Sequence, residues 1–248
     1  MNIILVDQHE IDSPLPRDDL RVIHILDVLR RQVGDATDVG LLNGPRGKAI
    51  LKSVDPQEVV FEFVWSQPPA PLLPIDLIVG LSRPQTSRKI LQEATSLGVR
   101  RIFFVNTDRG EPSYATSKLW TTDQWQRLVR LGVEQAFSTW TPEVQVGIEL
   151  TDAFNALAAA PVERGNALPF TQARICLDNY EATIGLLDAI GSASSVALAI
   201  GSERGWTEGE RDQFRDHGFT LAQIGDRPLR TETATIAAIG IAIAGMLE

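Results

Sequence analysis

Four prolines fall within eight residues in Gln67-Pro68-Pro69-Ala70-Pro71-Leu72-Leu73-Pro74, and no other stretch constrains the fold of this chain as tightly. A proline has no backbone N–H to donate and a fixed φ, so such a run suits neither a helix interior nor a central strand and reads as a semi-rigid spacer. A boundary between two domains is placed there. Upstream, short apolar runs at 2–6, 36–42, 48–54 and 58–64 are separated by the hairpin-type breakers Asn43-Gly44-Pro45-Arg46-Gly47 and Asp55-Pro56. One stretch, 18–31, carries Leu20, Ile23, Leu26, Val28 and Leu29 at roughly helical spacing. The pattern predicts a small β-barrel-like module with one helix.

Downstream of the spacer, strands and helices alternate. Residues 75–82 form a continuous apolar run, followed by a helix from about residue 85 that ends at Gly98 and a strand at 101–106. Further strands are predicted at 144–148, 174–178, 196–200 and 219–224, with helices at about 122–137, 207–217 and 231–247. Such alternation predicts an α/β fold with a mostly parallel sheet covered by helices. In these sheets ligands bind in the loops at the carboxyl ends of the strands.

Two such loops carry chemistry. In Ile200-Gly201-Ser202-Glu203-Arg204-Gly205-Trp206-Thr207, two glycines precede a helix that opens on Thr207, with Glu210 placed for a capping box. It matches neither a Walker A loop, a dinucleotide fingerprint nor a nucleophile elbow, and a plain strand-to-helix turn has the same sequence requirements. The second loop, 224–234, holds two threonines, two arginines and two carboxylates just before an almost wholly apolar helix, more polar groups than a cap requires. One helix and one strand separate the loops, which would bring both to the same sheet edge.

Composition excludes several classes. With 44% apolar and 22% charged residues, the chain is neither disordered nor fibrous, and a net charge of −9 argues against coating nucleic acid by bulk charge. The single cysteine, Cys176, cannot form an intramolecular disulfide and points to a reducing compartment. His9, His24 and His217 are far apart and outside ligand spacing, so no metal site is predicted. The N-terminus lacks a basic segment before its apolar run and does not read as a signal peptide; the apolar segment 235–247 is too short to span a bilayer.

The string Leu229-Arg230-Thr231-Glu232-Thr233-Ala234, preceded by Ile224-Gly225, and the upstream Ile200-Gly201-x-Glu203-x-Gly205 closely resemble the C-terminal signature of the ribosomal RNA small subunit methyltransferase E family, in the SPOUT superfamily. Leu81-Ser82-Arg83, Thr107-Asp108-Arg109, Glu134-Gln135-Ala136 and His24-x-x-x-Val28-Leu29-Arg30 extend the resemblance along nearly the whole chain. It implies a PUA-like, RNA-binding β-barrel over 1–68 and a trefoil-knotted SPOUT methyltransferase domain over 75–248. It also implies a cytoplasmic homodimer that uses S-adenosylmethionine, without a metal, to methylate N3 of one uridine in 16S ribosomal RNA or the assembled small subunit. Carried over by position, Leu177, Ile200, Gly201, Glu203, Gly205, Ile224, Gly225, Leu229, Arg230, Thr231 and Ala234 would surround the cofactor. Arg30, Arg83, Arg88, Lys89 and Arg109 would face RNA.

The implied reaction has a chemical requirement. Uracil N3 carries a proton and must lose it, so a base is needed, together with cations for the charge spread over O2 and O4. Glu203 and Glu232 are the carboxylates available, and Arg230 a stabilising cation. The sequence departs from the signature in places: Ser202 stands for a proline, Arg204 for a glycine, and helix 85–97 has Thr86, Glu93 and Ser96 where two lysines and a glutamate are common. Action on another RNA site, and a non-catalytic RNA- or ribosome-binding module, therefore stay open alongside the enzyme. Residues 83–130 hold nine basic and four acidic side chains, so the positive charge of an acidic chain is concentrated there. They form either a docking patch or a solvated helix face.

Overall fold

The period-two alternation of the upstream half becomes a sheet. The computed structural model describes residues 2–159 and 172–247, which group into two units: one within 1–71 plus 133–141, the other within 72–132 plus 142–248. In the first unit, β1 (Ile4–Val6), β2 (Leu15–Pro16), β3 (Ala36–Leu41), β4 (Arg46–Val54) and β5 (Glu58–Gln67) form a five-stranded sheet in the order β1-β3-β4-β5-β2. Only the β1–β3 pair is parallel. Alternate residues point inward, so Val39 and Ala49 pack with Val6, and Leu51 and Val59 with Leu15 and Val22.

The helix expected over 18–31 is shorter. It runs as α1 (Leu20–Ile23), capped by Asp19, whose carboxylate accepts the Arg21 N–H at 2.8 Å, and then widens into a π-type turn, His24–Val28. Leu20 is 81% exposed and Val28 63%, while only Val22 and Ile25 are buried, so the apolar spacing overstated the helix. The breaker at 43–47 is more than a turn. Asn43, at φ 56°, accepts the N–H and hydroxyl of Thr141 on Oδ1, both at 3.0 Å, and donates its own N–H to Thr139 O. Thr139 Oγ1 donates in turn to Gly44 O at 2.7 Å. Residues 133–141, which local pattern assigns to a downstream helix and loop, thus group with the first unit.

The second unit contains β6 (Leu73–Gly80), α2 (Pro84–Ser96), β7 (Val99–Val105), α3 (Lys118–Thr121), α4 (Gln124–Gln135), β8 (Glu143–Ile148), α5 (Leu150–Ala158), β9 (Gln172–Leu177), β10 (Ile184–Gly185), α6 (Leu186–Ile190), β11 (Ser195–Ile200), α7 (Glu208–Asp216), β12 (Thr220–Gln223) and α8 (Thr231–Leu247). The seven strands are all parallel, in the order β10-β12-β9-β11-β6-β7-β8. Every residue of β11 is buried, as a strand covered on both faces requires. Pro74 was expected outside the sheet yet lies inside β6. The β6–β7 register breaks between Leu73 and Asp76, at the residue with no N–H to offer. α5, absent from the sequence reading, buries Leu150, Ala153, Phe154 and Leu157. Phe154 packs with Phe214 and Phe219, and Phe214 with Trp206. Cys176 lies fully buried in this core, where burial pushes its thiol well above the ordinary value. Among the described residues, no helix is long and apolar enough to cross a membrane.

At the amino end of this sheet the carboxylate of Asp76, fully buried, accepts from both guanidiniums of the next strand. Arg100 reaches it at 3.1 and 2.7 Å, Arg101 at 2.8 and 2.7 Å, and the Gln172 amide at 3.2 Å. Burial alone would raise the Asp76 pKa, but hydrogen bonds and charge from Arg101 and Arg100 outweigh it and hold the group below its ordinary 3.8. Stability from this cluster is therefore complete above pH 3.8 and is lost as pH falls through the lower folded value. Asp76→Asn leaves two guanidiniums without their anion, and urea denaturation at neutral pH is expected to show a loss of about 3–5 kcal/mol. The variant is further expected to lack part of the wild-type decline in stability below about pH 4.

Candidate active site

Parallel pairing places three strand ends level. Ile200 lies opposite Leu177 on one side and Val79 on the other, and Leu177 lies opposite Ala222. Loops 178–183, 201–207 and 224–230 consequently leave the sheet along one edge, as the sequence placed them for the last two.

Loop 201–207 is built by close backbone approach. Gly205 N–H donates to Ser202 O at 2.9 Å, and Gly205 takes φ 64°, a left-handed turn that a side chain would strain. A Cβ on Gly201 would lie 2.9 Å from Gly205 Cα, and one on Gly80, at the end of β6, only 2.4 Å from Ser202 N. The loop ends in the expected capping box: Glu210 N–H donates to Thr207 Oγ1 at 3.2 Å, and Thr207 N–H to Glu210 Oε2 at 2.6 Å. Glu210, 3% exposed, also accepts the Asp108 N–H on Oε1, and Thr207 Oγ1 donates to Asp108 Oδ2 at 2.7 Å. One buried carboxylate thus joins the loop after β7 to the start of α7.

Loop 178–183 is held by a cation, Arg211. Asp178 Oδ1 accepts the N–H groups of Tyr180 and Glu181, while Arg211 of α7 donates to Glu181 Oε1 at 2.7 Å and to Trp206 O at 2.9 Å. Arg211 thereby ties loop 178–183 to loop 201–207. In the third loop, 225–230 are all exposed. At the start of α8, Thr235 Oγ1 donates to Thr231 O at 2.8 Å, and Glu232 pairs with Lys89 of α2 at 3.2 Å. A hydrogen bond from its own backbone N–H, helped by Lys89 and Arg230, holds the Glu232 carboxyl below the ordinary carboxylate value.

The structure gathers part of the expected set. Ile200, Gly201, Glu203, Gly205, Leu177, Ile224, Gly225, Leu229, Arg230, Thr231 and Ala234 lie on or beside the three loops. Glu203 Oε1 accepts the backbone N–H of Arg83 at 3.1 Å, and Arg109 and Arg204 are hydrogen-bonded to one another's carbonyls. Arg88 is hydrogen-bonded to Gln124, and Lys89 is paired with Glu232, so neither cation is wholly free. Arg30, in the first unit, is exposed and takes φ 53°. The roles of Gly80, Glu210 and Arg211 escaped sequence reasoning. Each acts through a partner more than 20 residues away, and only Glu210 carried a local signal, its cap.

A family model described as RNA methyltransferase domain matches residues 68–243, which defines the class. Ribosomal RNA small subunit methyltransferase E of Treponema pallidum is 34% identical over 249 residues, covering 98% of this chain and 91% of the relative. The crystal structure of a ribosomal RNA small subunit methyltransferase E from Neisseria gonorrhoeae bound to S-adenosyl methionine is similar at TM-score 0.72 and 25% identity, over 97% of this chain and 95% of that one. A probable rRNA-methyltransferase from Porphyromonas gingivalis shares the fold at TM-score 0.75 and 18% identity, over 99% of both chains. The chain belongs to the ribosomal RNA small subunit methyltransferase E family, with its SPOUT-type α/β fold.

Gly80→Ala is expected to displace loop 201–207, because the atom its methyl group meets is backbone. Overpacking of this kind costs about 1–3 kcal/mol, readable as a lower urea midpoint with faster amide exchange over 201–206. Gly225→Ala, whose methyl group would meet nothing within 4 Å, is expected to stay within about 0.5 kcal/mol of wild type.

Proposed function

We propose that this chain transfers a methyl group from S-adenosylmethionine to N3 of a uridine in small-subunit ribosomal RNA. Family membership makes it an S-adenosylmethionine-dependent rRNA methyltransferase; the target atom is the reading argued here. The observation that carries the transfer site is the level alignment of the three strand ends, with backbone presented by loops 178–183, 201–207 and 224–230, and the N3 target is inferred from the family resemblance. Those loops fit the cofactor. Space is open beside Gly205 and Gly225, where a Cβ would meet nothing within 4 Å, and Leu229 offers an exposed apolar surface among polar neighbours. Leu177, Ile200, Gly201, Gly205, Ile224, Gly225, Leu229, Thr231 and Ala234 would hold it, and when bound it supplies an electrophilic methyl group on a sulfonium.

The chain's own residues then have to take the N3 proton and steady the resulting anion. Glu232 is engaged by its own N–H and by Lys89 and is held as a weak base. Glu203 is exposed and engaged through one oxygen, by the Arg83 N–H, and is the carboxylate assigned to receive the proton. Arg230, exposed beside Thr231, is the cation assigned to the developing charge on the base. Arg83 and Arg109 flank loop 201–205 and are assigned to RNA, with Arg30 a contact made by the first unit acting as a PUA-like RNA-binding domain. A cytoplasmic homodimer with a knotted path completes the reading. The exposed stripe of Thr233, Ile236 and Gly240 on α8 supports the former, and the return of β12 to the far side of β9 from β11 supports the latter.

Calorimetric titration with S-adenosylmethionine is expected to show binding. Methyl-labelled cofactor with small subunits from a strain lacking its own enzyme is expected to yield N3-methyluridine on mapping of the modified base. Methylation at another position would refute the target, and binding without transfer would favour a non-catalytic module. Glu203→Gln is expected to lower kcat by about 100-fold with little change in cofactor affinity, the size typical of a lost general base. If Glu232→Gln has that effect instead, the two carboxylates exchange roles.

A further inference from the structure

Two arginines of the same charge hold each other in place at the lip of loop 201–205. Arg109 Nη1 donates to the backbone carbonyl of Arg204 at 3.3 Å, and Arg204 Nη1 donates to that of Arg109 at 3.4 Å. Each guanidinium is thus drawn over the other residue's peptide, and both side chains are exposed. Among the described residues neither forms an ion pair, although three carboxylates are close in sequence. Asp108 accepts from Thr207 Oγ1, Glu203 from the Arg83 N–H, and Glu111 from Ser113 Oγ. Two like charges at the lip of one loop, without a carboxylate partner, are relieved when an anion binds between them. Their unused N–H donors are the kind that grip phosphate oxygens in pairs.

We infer that Arg204 and Arg109 together clamp one backbone phosphate of the RNA beside loop 201–205. The inference rests on the RNA methyltransferase reading and adds Arg204 to it, at a position where the family signature has a glycine. A phosphodiester is the occupant that the chemistry selects. The clamp offers charge and forked donors without a shaped pocket for a base, so it positions the strand without reading its sequence. In an acidic chain, two guanidiniums at one loop with no carboxylate partner among the described residues concentrate attraction where the reactive edge lies.

The test is fluorescence anisotropy of a labelled oligouridylate binding to the full chain across a series of salt concentrations. Arg204→Gln keeps a donor for the Arg109 carbonyl but removes the charge. It is expected to weaken binding several-fold and to flatten the slope of log K against log salt by about 0.7, the value for one phosphate on a single strand. Arg204→Lys is expected to retain most of the slope. Combining Arg204→Gln with Arg109→Gln is expected to lose less than the sum of the singles, since either alone opens the clamp. An unchanged slope for Arg204→Gln overturns the clamp, as does an equal loss for Arg204→Gln and Arg204→Lys, which would mark a bracing role. If wild type binds oligouridylate and S-adenosylmethionine but Arg204→Gln is unchanged, the clamp fails and the enzymatic reading stands. Wild type binding neither ligand defeats both.

Discussion

The carboxylate of Asp76 is the fixed point of the second unit. It lies in β6, accepts from Arg100 and Arg101 on β7 and from Gln172 at the start of β9, and so spans the position occupied by β11. A parallel sheet gains no register from tight turns, and a slip of one residue would move every side chain of a strand to the opposite face and into the wrong packing. A buried anion that must meet two guanidiniums and an amide tolerates no such slip. Because register is fixed at the amino end, Val79, Ile200, Leu177 and Ala222 arrive level at the carboxyl end, and the loops that follow them share one edge. The site is the far end of a ladder whose near end is electrostatically pinned.

Much of this was legible in the chain. The buried runs at 75–82 and 196–200, the capping box at Thr207 and the polar loop before α8 are local patterns, and local patterns are what sequence reports well. α5 is legible by the same rule, since Leu150, Ala153, Phe154 and Leu157 stand at regular helical intervals. The stretch 18–31 departs from that rule. Its apolar residues keep the spacing, but a π-type turn rotates Val28 off the face on which Ile25 is buried.

Charge was the least legible property. Residues 83–130 look like a basic patch in sequence, yet Arg100 and Arg101 bind Asp76, Arg127 pairs with Asp123, Lys89 with Glu232, and Arg88 with Gln124. A partner 24 or 143 residues away leaves no mark beside the cation it neutralises. Net charge over a window therefore measured side chains and not the field they make. The same holds for Gly80, whose need to be glycine comes from the Ser202 backbone and not from its own strand.

The grouping of residues 133–141 with the first unit bears on how the protein is made. Asn43 bonds to Thr139 and Thr141, Thr139 to Gly44, Arg46 to Phe137 O, and Ile3 to Glu134 O. As the chain leaves the ribosome, the N-terminal sheet emerges first but lacks these partners until residue 141 has followed. Translation must pass through β6, α2 and β7 before the earlier strands are complete. The first unit is thus first in sequence but is closed only after part of the second has been made, and a fragment ending at the prolines would leave the loop at 43–46 with its hydrogen-bonding groups turned to water.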